Sequence, residues 1–286
     1  MQVVKSRFIG YCHGVSDTIK KAESVVKMGR KKGVPYYSIG RLIHNTDVVN
    51  YFESLGLKVI DSPDVKPGIA LVRAHGIPDA LRESFIQSHF ELVDSTCANI
   101  QKSRKIMKAA VKNGRTVIVL GVENHAETVC LQGIGGVESF LVSSEQQLEQ
   151  LFASVPRDRA VCVITQTTFP ENLYDCLMEK LVEHYSDIQF GNKLCQACIS
   201  RKKNALELAQ SCDATVVVGG RDSENTKDLA LWIKRSGKPV IFVENAGDIN
   251  AELDKCLSAY SKVGVCSGTS TPVNVIDEVV HHLESL

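Results

Sequence analysis

The sequence predicts an α/β protein built from three similar lobes with mostly parallel sheets, in a pseudo-threefold arrangement around a central site. Two observations predict it. Short apolar, β-branched runs alternate with longer helical patterns along the whole chain, which is how βαβ units read. A long repeat also recurs three times, each copy marked by a cysteine at the end of a strand-like run and the start of a helix-like one. These are Cys12 in RFIGYCHGVSDTIKKAESVV, Cys97 in ELVDSTCANIQKSRKIMKAAV and Cys195 in GNKLCQACISRKKNALELAQ. At roughly 100–200 residues per domain, a chain of 286 residues has room for two or three such modules.

The elements follow one order in each copy. After the cysteine-headed helix comes an apolar strand ending in glycine and a polar loop: Gly40 to Asn45, Gly121 to His125 and Gly220 to Asn225. The distance from cysteine to glycine is 28, 24 and 25 residues. TVIVLG and ATVVVGG have the continuous apolar character of strands buried on both faces. A second strand follows (LKVID, SFLVS, PVIFV), then a third that ends in a small polar loop with Pro78, Pro170 or Pro272, then a helix. The N-terminal strand has no helix before it, and the C-terminal helix at 272–286 has no strand after it. The first is therefore expected to complete the third unit. The predicted lobes are 13–96, 97–194, and 195–286 completed by 1–12.

Composition removes several function classes. No apolar run approaches the ~18 residues of a membrane span, and MQVVKSRFIGYC lacks an apolar signal segment, so a cytoplasmic protein is expected. Lys+Arg and Asp+Glu are both 33, leaving no net positive charge to hold a nucleic acid backbone. The GIGG at Gly133 to Gly136 does not follow a strand as a dinucleotide loop would, and reads as a turn. The ten cysteines stand out, and without an export signal reduced thiols acting as ligands or catalytic groups are expected over disulfides.

Function in open α/β lobes collects beyond the carboxyl ends of the strands, where all three repeat cysteines fall. Each opens a helix, whose dipole favours a thiolate. Three thiolates on one axis suit a metal: zinc with an open water position, or an iron–sulfur cube with one iron left open to substrate. His44, His75 and His125 follow strands on the same face, with Thr167, Thr168, Asn225, Ser267 and Ser270 as short hydrogen-bonding groups. Glu127, two residues past His125, is either a buried proton donor with a raised pKa or a solvated acid of a first helical turn. Cys162, Cys176, Cys212 and Cys256 are read as core, and Cys198 as an extra thiol near the site.

These residues resemble the IspH (LytB) family, the 4-hydroxy-3-methylbut-2-enyl diphosphate reductases. The resemblance rests on GYCHGV, the IHN at His44, the AHG at His75, DSTC, His125-x-Glu127, TQTT at Thr165 to Thr168, and SGTSTP. It implies a [4Fe-4S] cluster held by Cys12, Cys97 and Cys195. It also implies substrate contacts from His44, His75, His125, Thr167, Ser223, Asn225 and Ser270, protons delivered by Glu127, and electrons from a ferredoxin or flavodoxin. The chain departs from the family pattern at His13, Ala98, Ala126, Cys198 and Glu224. In Ser223-Glu224-Asn225 a carboxylate replaces a serine offered to the diphosphate. At ~4 Å and an effective dielectric near 20 it would cost about 4 kcal/mol per unit charge, roughly a thousandfold in affinity, unless it turns away or meets Arg221. The expected function is reductive dehydroxylation of a small substrate changed from the diphosphate. The alternatives are a genuine diphosphate reductase, a cluster-bearing sensor or carrier, and a zinc-dependent hydrolase. A proton relay at His125, Glu127 and Thr167 has no evident use in a sensor.

Overall fold

The computed structural model describes Met1–Leu286. Its residues form two compact units: Met1–Ser16 with Ile43–Ser54 and Gln196–Leu286, and Asp17–Leu42 with Leu55–Cys195. The chain opens with β1 (Gln2–Lys5) and α1 (His13–Lys32), then β2 (Tyr36–Ile39). After α2 (Thr46–Ser54) come β3 (Lys58–Ile60), β4 (Ile69–Val72), α3 (Asp79–Gln87) and β5 (Glu91–Asp94). The second repeat runs α4 (Ala98–Lys112), β6 (Thr116–Leu120), α5 (Ala126–Gln132), β7 (Ser139–Val142), α6 (Glu145–Ser154), β8 (Val161–Thr165), α7 (Glu171–His184) and β9 (Ile188–Phe190). The third runs α8 (Gln196–Gln210), β10 (Ala214–Val218), α9 (Glu224–Lys234), β11 (Val240–Val243), α10 (Ala251–Leu257), β12 (Lys262–Ser267) and α11 (Val273–Glu284).

The larger unit holds two parallel sheets, ordered β3-β2-β4-β5 and β7-β6-β8-β9. The smaller unit holds one, ordered β11-β10-β12-β1, again all parallel. Three sheets thus share one topology, and β1, with Gln2 opposite Lys262, supplies the fourth strand of the third. In each sheet the chain reverses direction of travel between its first and third strands. The loops leaving those two strands flank the switch point, where α/β sheets bind ligands.

Side-chain alternation explains why the strands read as unbroken apolar runs. In the second sheet Ile118, Leu120 and Val163 point to one face, onto Leu148 and Leu151 of α6 and Leu177 and Leu181 of α7. Val117, Val119, Cys162 and Ile164 point to the other, onto Ile100, Met107 and Ala110 of α4 and Cys130 and Leu131 of α5. The period of two along a strand makes that division, so a sheet covered on both faces needs apolar residues at every position. Each fully buried Ile, Leu or Val stabilises the lobe by about 1.5–3 kcal/mol. The buried residues of α4, Ile100, Ser103, Met107 and Ala110, recur at three- and four-residue steps, the stripe of a helix lying on a sheet.

The cysteines outside the repeat position divide differently from the sequence expectation. Cys162 is core, in β8, and Cys212 is buried, though in the turn beyond α8. Cys256 is exposed, because α10 is a seven-residue surface helix that buries only Leu257. Cys176 is half-buried on α7. The GIGG segment is a turn after α5, with the Gly135 N–H donated to Asp79 Oδ2 at 3.0 Å.

Candidate active site at the carboxyl ends of the strands

The repeat cysteines occupy one equivalent position in each lobe, down to a single hydrogen bond. The Cys97 N–H is donated to Ala74 O at 2.9 Å, Cys195 N–H to Thr167 O at 2.9 Å, and Cys12 N–H to Thr269 O at 3.1 Å. Each acceptor lies two residues past its strand, since β4 ends at Val72, β8 at Thr165 and β12 at Ser267. The cysteine is thereby tied to the loop on one side of the switch point. Each is half-buried and directly precedes a helix, whose amino end carries partial positive charge. The Val15 N–H lies 3.5 Å from Cys12 Sγ, and Asn99 Nδ2 lies 3.7 Å from Cys195 Sγ. Half-buried sulfurs that accept N–H donors are a soft, anion-tolerant donor set, suited to zinc or an iron–sulfur cluster.

In the second lobe the loops after β6 and β8 build a proton-holding pair. His125 caps α5, its Nδ1 accepting the Glu127 N–H at 3.1 Å, so the neutral ring carries its proton on Nε2. The His75 ring, from the loop after β4, meets His125 edge-on with centroids 5.5 Å apart. Glu127 is 1% exposed, so it is not a solvated first-turn acid. Its Oε1 accepts the Thr167 N–H at 2.8 Å and its Oε2 the Thr167 hydroxyl at 2.8 Å. Burial pushes its pKa up to about 7 against those two hydrogen bonds, and the Cys195 thiol adds to the rise. A carboxyl balanced near neutrality can both give and take a proton.

Glycine geometry keeps this corner tight. Gly76, of the AHG segment, sits at φ +72°, and a Cβ there would come within 2.6 Å of Cys130 Sγ. Cys130 is fully buried on α5 and accepts Arg104 Nη1 at 3.2 Å.

The third lobe deploys polar residues at the same two loops. Ser223 caps α9 by accepting the Thr226 N–H at 3.3 Å. Asn225 bridges the switch point: its Oδ1 accepts the Thr269 N–H and hydroxyl, both at 3.2 Å, and its Nδ2 donates to Cys198 Sγ at 3.2 Å. Cys198 is thus a brace for Asn225. The Ser270 hydroxyl donates to His44 O at 3.2 Å. Glu224 departs from the expectation of an uncompensated charge. Its side chain is 59% exposed and pairs with Lys227 at 2.9 Å, one helical turn along α9. Arg221, the partner considered from sequence, pairs with Glu244 and Asp248.

A family model described as LytB protein matches residues 3–284. The chain belongs to the LytB family. Relatives that bear the name 4-hydroxy-3-methylbut-2-enyl diphosphate reductase include the following two. One, from Solidesulfovibrio magneticus, is 31% identical with 100% of both chains aligned; the other, from Kosmotoga olearia, is 32% identical over 99% of this chain and 95% of its own. The fold matches the solved structure of the E-1-hydroxy-2-methyl-but-2-enyl-4-diphosphate reductase from Plasmodium falciparum with a TM-score of 0.88 at 24% identity. That match covers 98% of this chain and 87% of the other. Its named relatives are reductases, so the LytB-family chain is an oxidoreductase by family.

Several site residues of this LytB-family chain carry no signal of their own in the sequence. Gln166, 1% exposed, holds the second lobe's switch point together: its Oε1 accepts the Val122 N–H at 2.7 Å and the Thr128 hydroxyl at 3.2 Å, and its Nε2 donates to Thr168 at 3.1 Å. Thr168 is therefore an internal partner as well as a loop residue. Asn192 pairs with both the N–H and C=O of Thr165 at 2.7 Å, acting as an extra rung of β8 just before Cys195. Gln166 sits inside the TQTT segment, which marks the loop but not which of its residues is the brace. No helix is long and apolar enough to cross a membrane.

Proposed function

We propose that this protein reduces 4-hydroxy-3-methylbut-2-enyl diphosphate, replacing its allylic C–O bond by C–H with release of water. The observation that carries the reading is the buried Glu127–Thr167 pair, set beside one of three cysteines that share the same tie to the strand-end loops. Full-length likeness to relatives bearing that reductase name supports the substrate. Glu224, exposed and paired with Lys227, weakens the case for a changed one.

Cys12, Cys97 and Cys195 would hold a [4Fe-4S] cluster. When bound, such a cluster supplies one-electron reduction and a Lewis-acidic iron. Two electrons and two protons balance the reaction, one proton leaving in the water and one ending on carbon. A ferredoxin or flavodoxin is the proposed donor, in a reducing cytoplasm that keeps the cysteines from pairing as disulfides.

The chain's own residues handle the protons. In its neutral form Glu127 carries the proton on Oε2 and donates it to Thr167 Oγ1, which turns the threonine hydroxyl outward to the departing substrate oxygen. As the threonine proton leaves, Glu127 replaces it, and the two Thr167 hydrogen bonds to the resulting carboxylate stabilise it. His44, His75 and His125, with Ser223, Asn225 and Ser270, would bind the polar end of the substrate. The test is anaerobic assay with a chemical electron donor and product analysis by mass spectrometry. Formation of the dehydroxylated C5 diphosphates supports the reading; an unchanged substrate in the presence of a fully loaded cluster refutes it.

A further inference from the structure

Six residues beyond each repeat cysteine the helix carries a buried polar side chain: Thr18, Ser103 and Arg201, exposed by 0%, 0% and 5%. On α1 the Thr18 hydroxyl donates to Ser95 O at 3.3 Å, two residues before Cys97. On α8 Arg201 does the equivalent, its Nη2 donating to Gly10 O at 2.8 Å, two residues before Cys12. The Ser103 hydroxyl turns back to Asn99 O in its own helix. A hydroxyl is therefore enough to make the strap at this position of the repeat, yet the third lobe uses a guanidinium.

The rest of the Arg201 environment shows where the excess goes. Its Nη1 reaches Ser267 O at 2.9 Å, Ser267 Oγ at 3.1 Å and Gly268 O at 3.3 Å, while Ser267 Oγ also accepts the Gly10 N–H at 3.0 Å. All of these are neutral acceptors, and Nε is buried with no hydrogen-bond partner. Leaving a buried cation without an anion is costly. The ionisable groups that act on it are the thiols of Cys12, Cys198 and Cys266. Burial pushes Cys266 up to about 12, so it stays neutral. Of the other two, Cys12 is the one at the repeat position, and Arg201 holds the backbone of Gly10 two residues before it.

We propose that Arg201 is a positioning residue with two tasks, strapping the Gly10 and Ser267–Gly268 segments that frame Cys12 and providing the fixed positive charge that balances the anionic cluster Cys12 helps to hold. The inference rests on the cluster reading above. Cluster potentials depend on net charge and on local hydrogen bonds, and each electron added makes the cluster more negative. A nearby cation therefore favours the reduced form.

The experiment is an EPR-monitored redox titration of reconstituted protein, unmodified, Arg201→Gln and Arg201→Lys, with iron and sulfide measured on each sample. Arg201→Gln should lower the reduced-to-oxidised ratio at a given potential by about tenfold, a midpoint lower by ~59 mV for one electron. Arg201→Lys, which keeps the charge and loses the fork, should stay near the unmodified value. Equal potentials in all three proteins would overturn the charge role, as would a Lys variant that shifts as far as the Gln variant. If Arg201→Gln fails to fold, Arg201→Met serves as the neutral variant, and a midpoint equal to that of Arg201→Lys refutes the charge role. Absence of iron and sulfide from the unmodified protein would instead sink the cluster reading itself.

Discussion

Replacing Glu127 by Gln makes the pH dependence of stability a direct readout of the buried carboxyl. In the unfolded chain this group titrates at its ordinary 4.5, and in the fold at about 7, because burial disfavours the charge more than Thr167 stabilises it. Between those values the folded state holds a proton that the unfolded state has released. Stability is therefore fully present below the unfolded value and falls as pH rises toward 7. A difference of about two and a half pH units corresponds to about 3 kcal/mol. Glutamine mimics the neutral acid and has no such loss. The stability of the native protein relative to Glu127→Gln should thus decline by about 3 kcal/mol from about pH 4.5 to about pH 7.5, whatever constant offset the substitution adds. Urea unfolding of cluster-free protein across that range measures it, with carboxyl-carbon NMR following the titration itself. Thr167→Val removes one bond to the charged form and should move the titration higher. Parallel stability curves for the native protein and Glu127→Gln would refute the assignment of a raised pKa.

The same Glu127→Gln variant should keep its cluster yet lose about two to four powers of ten in turnover, the range of a general acid, as steady-state kinetics on the allylic diphosphate would record. In the native enzyme, turnover should fall as pH rises through about 7, where the donor loses its proton. Glu224→Ser should change diphosphate affinity by less than about tenfold, because an exposed ion pair with Lys227 is worth only about 0–1 kcal/mol, and calorimetric titration would detect the thousandfold gain that an unpaired charge in the pocket would have produced. Gly76→Ala should destabilise the fold by at least about 1 kcal/mol, since it adds left-handed backbone strain to a Cβ only 2.6 Å from Cys130 Sγ; a denaturation midpoint equal to that of the native protein would contradict it.

The topology was legible because it is repeated. One cysteine-headed helix proves little, but three at near-equal spacing exposed both the sheet pattern and the position shared by Cys12, Cys97 and Cys195. The strands were legible for a second reason: sheets covered on both faces leave no polar positions, so TVIVL and ATVVV are unmistakable. Side-chain direction was not legible. The direction of Glu224 stays open in the sequence, and its partner is Lys227, three residues on, at a spacing that brings two helical side chains together, not Arg221. Membership of a helix does not place Cys256 in the core, because α10 is a short surface helix that buries one residue and no stripe. Braces such as Gln166, Asn192 and Arg201 leave no local pattern, because their partners lie on other segments of the chain and only the folded switch point unites them.

Iron and acid-labile sulfide analysis of the anaerobically purified protein and its cysteine variants tests the account most directly. About four irons and four sulfides per chain are expected, as a [4Fe-4S] cube requires, lost when Cys12, Cys97 or Cys195 is replaced by Ser and kept in the exposed-site control Cys256→Ser. Stoichiometric zinc without sulfide, or a full cluster surviving in Cys12→Ser, would contradict it.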